Sequence, residues 1–199
     1  MGNGHIDTFD GKTYTLLGSC QYTLVEGTNS DASSKLRVMY TNNQNINTNE
    51  LVIVHYGNTV TLKGSQIIVN GQAGPELPYK VNDLLIRQAT SVLIGVEGSD
   101  FTIYFDGFRV YLTLQTSFLN QTRGLCGTFN FVTRDDYLTP NGLIETNLIG
   151  FADAYKISQT CTTPSQTSSC SLFPAVRDFE SIGDENFMFF FFFDFSRMK

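Results

Sequence analysis

Phe101-Thr102-Ile103-Tyr104-Phe105-Asp106-Gly107-Phe108-Arg109-Val110-Tyr111-Leu112-Thr113-Leu114 decides the fold. Phe101, Ile103 and Phe105 alternate toward Asp106-Gly107, and Phe108, Val110, Leu112 and Leu114 alternate away from it. A period of two puts each set on one face of a pleated strand, and Asp-Gly between two such runs is a strong hairpin signal. Upstream the pattern repeats. Leu51 to Tyr56, Thr59 to Lys63 and Gln66 to Asn70 read as a meander joined at Gly57-Asn58 and Gly64-Ser65. Two-residue turns beginning with Gly predict the type II′ geometry, whose twist matches the flanking strands. Asn70-Gly71 predicts a further tight turn, and Pro75 and Pro78 mark a loop or an edge. Nearer the amino end, Lys35 to Tyr40 alternates, and Thr13 to Leu24 carries Tyr14, Leu16, Tyr22 and Leu24 before a break at Gly27-Thr28-Asn29-Ser30. The stretch Thr41 to Asn49 is too rich in Asn and Thr to pack. Many short strands with almost no helical period predict an all-β fold, two antiparallel sheets packed as a β-sandwich.

Composition narrows the function classes. The chain has 199 residues, enough for one domain with a tail, and 41% hydrophobic against 16% charged residues marks it as globular rather than disordered. The formal charge is −6 with no Lys/Arg block, which argues against nucleic acid and anionic membranes as partners. No stretch approaches the ~20 apolar residues that span a bilayer, so no membrane insertion is expected. The opening MGNGHID lacks the apolar centre of a signal peptide. Cys20, Cys126, Cys161 and Cys170 contain no C-x-x-C pair, which disfavours zinc and thioredoxin-like chemistry. Widely spaced cysteines together with the sequon Asn120-Gln121-Thr122, a glycosylation candidate at Asn120, suit an oxidising, extracellular compartment.

After Phe118 the pattern changes. Residues 119 to 157 carry Gly124, Cys126, Gly127, Asp135-Asp136 and Pro140-Asn141-Gly142, a loop-rich stretch with turn chemistry. Ser158 to Ser171 has the composition of a linker. The last residues, with Phe189 to Phe193 unbroken, lack any period that would bury one face, and read as a non-native end rather than a strand. Such a tail is an aggregation hazard when exposed, and its removal is expected to leave stability nearly unchanged.

Gly4-His5-Ile6-Asp7-Thr8-Phe9-Asp10-Gly11-Lys12-Thr13-Tyr14, followed by Gly18-Ser19-Cys20-Gln21-Tyr22-Thr23-Leu24, resembles the opening of a von Willebrand factor type D domain. Gly124-Leu125-Cys126-Gly127-Thr128-Phe129-Asn130 and Asp135-Asp136-Tyr137-Leu138-Thr139-Pro140 resemble that family's carboxy-terminal signature, in the version found in SCO-spondin and otogelin. Val69-Asn70-Gly71 and Leu77-Pro78-Tyr79 resemble its middle. The resemblance implies a type D domain over residues 1–161, a linker or the start of the next module over 162–186, and a non-native Phe-rich tail over 187–199. It implies a secreted multidomain parent and a domain cut at both ends. It also implies a disulfide between Cys20 and Cys161, leaving Cys126 and Cys170 without their native partners.

The resemblance further implies a structural calcium site in the loop near the carboxy-terminal part. Calcium takes six to eight hard oxygen ligands. Asp10, Asn130, the Val132 carbonyl, Asp135 and Asp136 occupy the family's ligand positions, and Thr128 stands where an Asn is usual. Phe131 replaces the Gly that usually follows Asn130, which restricts the backbone. Taken alone, Asp135-Asp136 reads as a solvated loop tip. The EF-hand spacing D-x-D-x-D-G is absent, as are the G-x-S-x-G, H-E-x-x-H and phosphate-cradling glycine motifs. His5 and His55 read as packing or surface residues. The leading expectation is a non-enzymatic structural and interaction module whose partners are other domains of its parent glycoprotein or other secreted proteins. A lipid-carrier role of the vitellogenin kind and a luciferase-like enzyme are the alternatives the family offers.

Overall fold

The alternating stretch around Asp106-Gly107 folds as a hairpin, with Phe101, Ile103, Phe105, Val110, Leu112 and Leu114 each no more than 1% exposed. The computed structural model describes residues 4–17, 20–28, 34–41, 49–157 and 166–168. At the amino end, β1 (Gly4–Asp7) and β2 (Thr13–Leu17) pair antiparallel. A long meander follows: β3 (Gln21–Thr28), β4 (Ser34–Thr41), β5 (Glu50–His55), β6 (Asn58–Lys63), β7 (Gln66–Val69) and β8 (Gln72–Ala73). A second meander comprises β9 (Tyr79–Val81), β10 (Leu84–Gln88), β11 (Ile94–Glu97), β12 (Phe101–Phe105) and β13 (Val110–Leu114). The short β14 (Thr122–Arg123) returns to pair with β3, α1 (Leu148–Ala154) follows, and β15 (Gln166–Ser168) pairs with β2. The sheet orders are β14-β3-β4-β5-β6-β7-β8, β13-β12-β11-β10-β9 and β1-β2-β15.

The two larger sheets share one apolar core, as the period-two pattern requires. The His55 ring on β5 lies 5.0 Å from the Phe101 ring on β12. The Tyr40 hydroxyl donates to the Phe108 carbonyl at 3.0 Å, and the Asn49 N–H donates to the Gly107 carbonyl at 3.2 Å, tying the meanders together at their ends.

Several expectations change in detail. A third, three-stranded sheet accompanies the two expected, and it takes in three residues, 166–168, of the stretch read as linker. The run from Thr13 to Leu24 is two strands in two different sheets. Alternation continues across such a switch, so the sequence pattern does not reveal it. His55 pairs with Asn58, so the turn residues are Tyr56 and Gly57, at φ 43° and 78°, rather than Gly57-Asn58. Two successive positive φ values are the type I′ geometry. Phe108 sits in a four-residue turn and is 42% exposed, because the Asp106 carboxylate accepts from the Phe108 and Arg109 N–H groups and widens the loop. α1 falls in the stretch whose turn chemistry predicts loop. It is only seven residues, shorter than the window in which a 3.6-residue period shows, and Asn147 caps it by accepting from the Ile149 N–H at 2.9 Å. Cys161, Cys170 and the Phe-rich tail lie outside the described residues.

Aromatic packing joins the two ends of the described chain. Tyr14 meets Tyr137 and Phe151 edge-on at 5.8 and 6.0 Å, and Phe9 lies 5.4 Å from Phe129. Each such ring pair adds about 0.5–1.5 kcal/mol beyond its area burial. The segment that carries Asp10 is thereby held against the segment that carries Asp136.

Candidate metal centre

Asp10 sits in the turn between β1 and β2, which Thr8 shapes by accepting the Lys12 N–H at 2.8 Å. Its carboxylate reaches across 120 residues of sequence and accepts the Asn130 N–H at 3.2 Å on each oxygen and the Phe131 N–H at 2.7 Å on Oδ1. Successive backbone N–H groups converging on one carboxylate are an anion nest. They also hold Phe131 at φ 65°, a left-handed conformation that a non-glycine residue adopts at a cost of roughly 1–2 kcal/mol. Phe131 is 57% exposed, so its ring recovers little by burial. Substituting Phe131→Gly is expected to raise stability by about 1 kcal/mol. A urea midpoint lower than that of the parent chain would contradict it.

The remaining predicted ligands divide into two groups. Asp135 accepts from the Thr128 hydroxyl at 3.2 Å and from Asn130 Nδ2 at 2.8 Å, while Asn130 Oδ1 accepts the Val132 N–H at 2.8 Å. Asp136 turns the other way and is fully buried. Its Oδ2 accepts from the Thr8 hydroxyl at 2.6 Å, and its Oδ1 has no hydrogen-bond partner. Burial pushes the Asp136 carboxyl up to about 7 against the pull of the Thr8 hydrogen bond, and the charge of Asp10 adds to the rise. Asp10 and Asp136 are therefore neighbours, whereas the Val132 carbonyl is drawn to the Asp135 N–H at 3.4 Å, within a 3-10 turn. Among the described residues no three His, Cys, Asp or Glu side chains gather closely enough to hold a metal ion by themselves.

Three residues of this centre went unread in the sequence. Thr8 supplies the hydrogen bond to Asp136. Lys12 lowers the Asp136 carboxyl by its charge, donates to the Thr133 carbonyl at 3.1 Å and lies 3.7 Å above the Tyr137 ring. Gly127, at φ 78°, lets Asp136 in: a Cβ there would stand 2.3 Å from Asp136 Oδ1. The signal was the position of Thr8 and Lys12 on either side of Asp10.

The donor set suits a hard divalent cation, being carboxylate, amide, hydroxyl and carbonyl oxygens. A buried carboxylate oxygen without a hydrogen bond, beside a second carboxylate, is the observation that fits such an ion best, since a cation satisfies both at once.

The cysteines differ in state. Cys126 is a free, buried thiol whose ionisation is pushed up by burial and by the charges of Asp136 and Asp7. Cys20, 1% exposed, is disulfide-bonded. Asn120 is exposed in a left-handed turn at φ 58°, its N–H donating to the Phe129 carbonyl. His55 is buried against the rings of Tyr56 and Phe101 with Nε2 2.8 Å from Asp83, a packing role, and His5 Nδ1 lies 3.4 Å from the Thr15 hydroxyl. Among the described residues no helix is long and apolar enough to cross a membrane.

The profile of the von Willebrand factor type D domain matches residues 1–143. Otogelin-like protein of Homo sapiens is 33% identical over 171 residues, covering 82% of this chain and 7% of that protein. SCO-spondin of Gallus gallus is 29% identical over 190 residues, covering 89% of this chain and 4% of the relative. Mucin-2 of Homo sapiens is 30% identical over 169 residues, covering 80% and 3%. The chain thus spans 7% or less of the length of each of these relatives.

Proposed function

The chain belongs to the von Willebrand factor type D domain family, and from that premise we propose that it is a structural and interaction module of a secreted, multidomain glycoprotein. In this reading it is not an enzyme. Its partners are neighbouring domains of the parent glycoprotein or other secreted proteins, and Asn120 carries an N-linked glycan. A calcium ion held by Asp10, Asp136 and the Asp135 loop, with Asn130, Thr128 and the Val132 carbonyl as further oxygen donors, fastens the amino-terminal strand pair to the segment after Cys126. A Cys20–Cys161 disulfide closes the domain covalently.

One observation carries the reading. Asp10 and Asp136 come from opposite ends of the domain and meet where an Asp136 oxygen is buried without a hydrogen bond. An ion there has a mechanical rather than a catalytic role, because it ties the β1–β2 turn to the loop bearing Asp135 and Asp136, which no strand pairing joins among the described residues. If the site binds with a Kd of about 10 μM and extracellular calcium is about 1 mM, linkage adds roughly 2.7 kcal/mol of stability. Calcium is then expected to raise the thermal midpoint by about 5–10 °C. Magnesium should do much less, since it demands a tighter octahedral shell. Asp136→Ala removes the calcium-dependent increment and leaves a metal-independent midpoint. A chelator titration followed by scanning calorimetry measures both, and equal midpoints with and without calcium in the parent chain would sink the calcium role.

A further inference from the structure

A cleft of about 310 Å³ opens where β3, β4 and β14 meet the chain that follows α1, lined in part by Thr23, Glu26, Arg37, Arg123, Tyr155 and Lys156. Its cations are not equally provided for. Arg123 donates to Glu26 Oε2 from both Nε and Nη2 at 3.3 Å, and Lys156 pairs with Asp153 at 3.0 Å. Arg37 stands directly across the strand register from Glu26, whose carboxylate is already engaged by Arg123. The Arg37 guanidinium makes a single, long hydrogen bond, from Nη2 to the Thr23 hydroxyl at 3.4 Å, and its Nε is buried with no acceptor. A guanidinium carries five donors in a fixed fork, and leaving them unmatched at a half-buried site is costly.

We propose that this cleft binds an acidic sugar, a saccharide ring bearing one carboxylate or sulfate, with that oxyanion on the Arg37 guanidinium. The fork geometry of a guanidinium matches a planar carboxylate or a sulfate face bidentately. Glu26 and Lys156 then offer an acceptor and a donor to ring hydroxyls. The volume lies at the small end for ligand pockets, the size for a sugar unit rather than a folded partner. An extended peptide is disfavoured by topology. β4 is hydrogen-bonded to β3 on one side and β5 on the other, and β3 is covered by β14 and by residues 125, 155 and 157, so neither β3 nor β4 offers an open edge for augmentation.

Two-dimensional 1H–15N NMR of the full chain, titrated separately with N-acetylneuraminic acid, glucose 6-sulfate, glucose and sodium sulfate, tests the assignment. Both acidic sugars are expected to give saturable shifts centred on Thr23, Arg37 and Lys156, with glucose and inorganic sulfate at least several-fold weaker. Arg37→Gln should weaken the acidic sugars by roughly tenfold or more, the usual loss of a charge-assisted hydrogen bond, and Arg37→Lys by less. Inorganic sulfate binding as tightly as the sugars would reduce the cleft to a simple anion site and overturn the proposal. So would glucose binding equally well, or titrations unchanged in Arg37→Gln. Should that variant fail to fold, the parent chain still decides, because shifts that spare Thr23, Arg37 and Lys156 place any sugar elsewhere.

Discussion

Replacing Cys161 by serine is expected to cost the domain about 5 kcal/mol and to lower its thermal midpoint by roughly 10–20 °C. The size follows from the loop that the proposed bridge encloses, some 140 residues between Cys20 and Cys161, since loop closure restricts the unfolded chain more as the loop lengthens. Position supports the pairing. The Ile157 N–H donates to the Gln21 carbonyl at 2.9 Å, and Gln166 pairs with Leu17 across β15 and β2. The chain segments on both sides of Cys161 are therefore aligned with the segments on both sides of Cys20. Cys20 is disulfide-bonded and Cys126 is a free thiol, which directs the choice of partner to the carboxy-terminal cysteines. Urea unfolding of Cys161→Ser against the parent chain gives the energy, and peptide mapping without reduction gives the linkage. A Cys20–Cys126 peptide, or a loss below about 1 kcal/mol, would refute the bridge.

How much of the fold could be read from the sequence depends on what each element needed. β5 to β7 and the β12–β13 hairpin each have one buried face and a short turn containing Gly, so a period of two and that Gly locate them to within about two residues. The switch from β2 to β3 was invisible because side-chain alternation carries no label for the partner strand. The third sheet was missed for the same reason: β15 joins β2 through backbone hydrogen bonds, and its Gln-Thr-Ser sequence resembles a linker. α1 escaped because a single capped turn pair is too short for periodicity to register.

The site was legible in identity and only partly in arrangement. The family resemblance, rather than any spacing, grouped Asp10, Asn130, Asp135 and Asp136, and in the structure Asp10 accepts from the Asn130 N–H, Asn130 donates to Asp135, and Asp136 feels the charge of Asp10. What the sequence could not convey is that adjacent Asp135 and Asp136 face different partners. Asp135 is bonded to Thr128 and Asn130 within its own loop, whereas Asp136 is buried against Thr8 and Asp10 from the far end of the chain. The solvated loop tip, the reading suggested by the pair alone, fails for Asp136 because Tyr14, Tyr137 and Phe151 close over the same region. That difference depends on tertiary packing, which local sequence does not encode.

Gly124→Ala is expected to be nearly as damaging, at about 3–5 kcal/mol, and for a reason unrelated to the ligands. Gly124 has φ 136°, and a Cβ there would lie 2.3 Å from the Leu24 carbonyl oxygen and 2.9 Å from the Val25 Cα. Both are backbone atoms of β3, which cannot swing aside as a side chain would. The chain must pass this close because the next two residues are held from both sides. The Leu125 and Cys126 N–H groups donate to the Thr23 and Leu24 carbonyls at 3.1 and 2.8 Å. Their own carbonyls accept from the Tyr14 hydroxyl at 2.5 Å and from the Phe9 N–H at 2.9 Å. Displacing residue 124 therefore loosens β3, the amino-terminal hairpin and the loop bearing Asp135 and Asp136 together. Gly71→Ala is the control, since Gly71 also has a positive φ, 81°, yet a Cβ there meets nothing within 4 Å. Its cost should be confined to backbone strain, about 1–2 kcal/mol. Urea unfolding of both variants separates the two effects: equal losses would show that the close approach of Gly124 to β3 carries no energy of its own, and that its glycine serves backbone conformation alone.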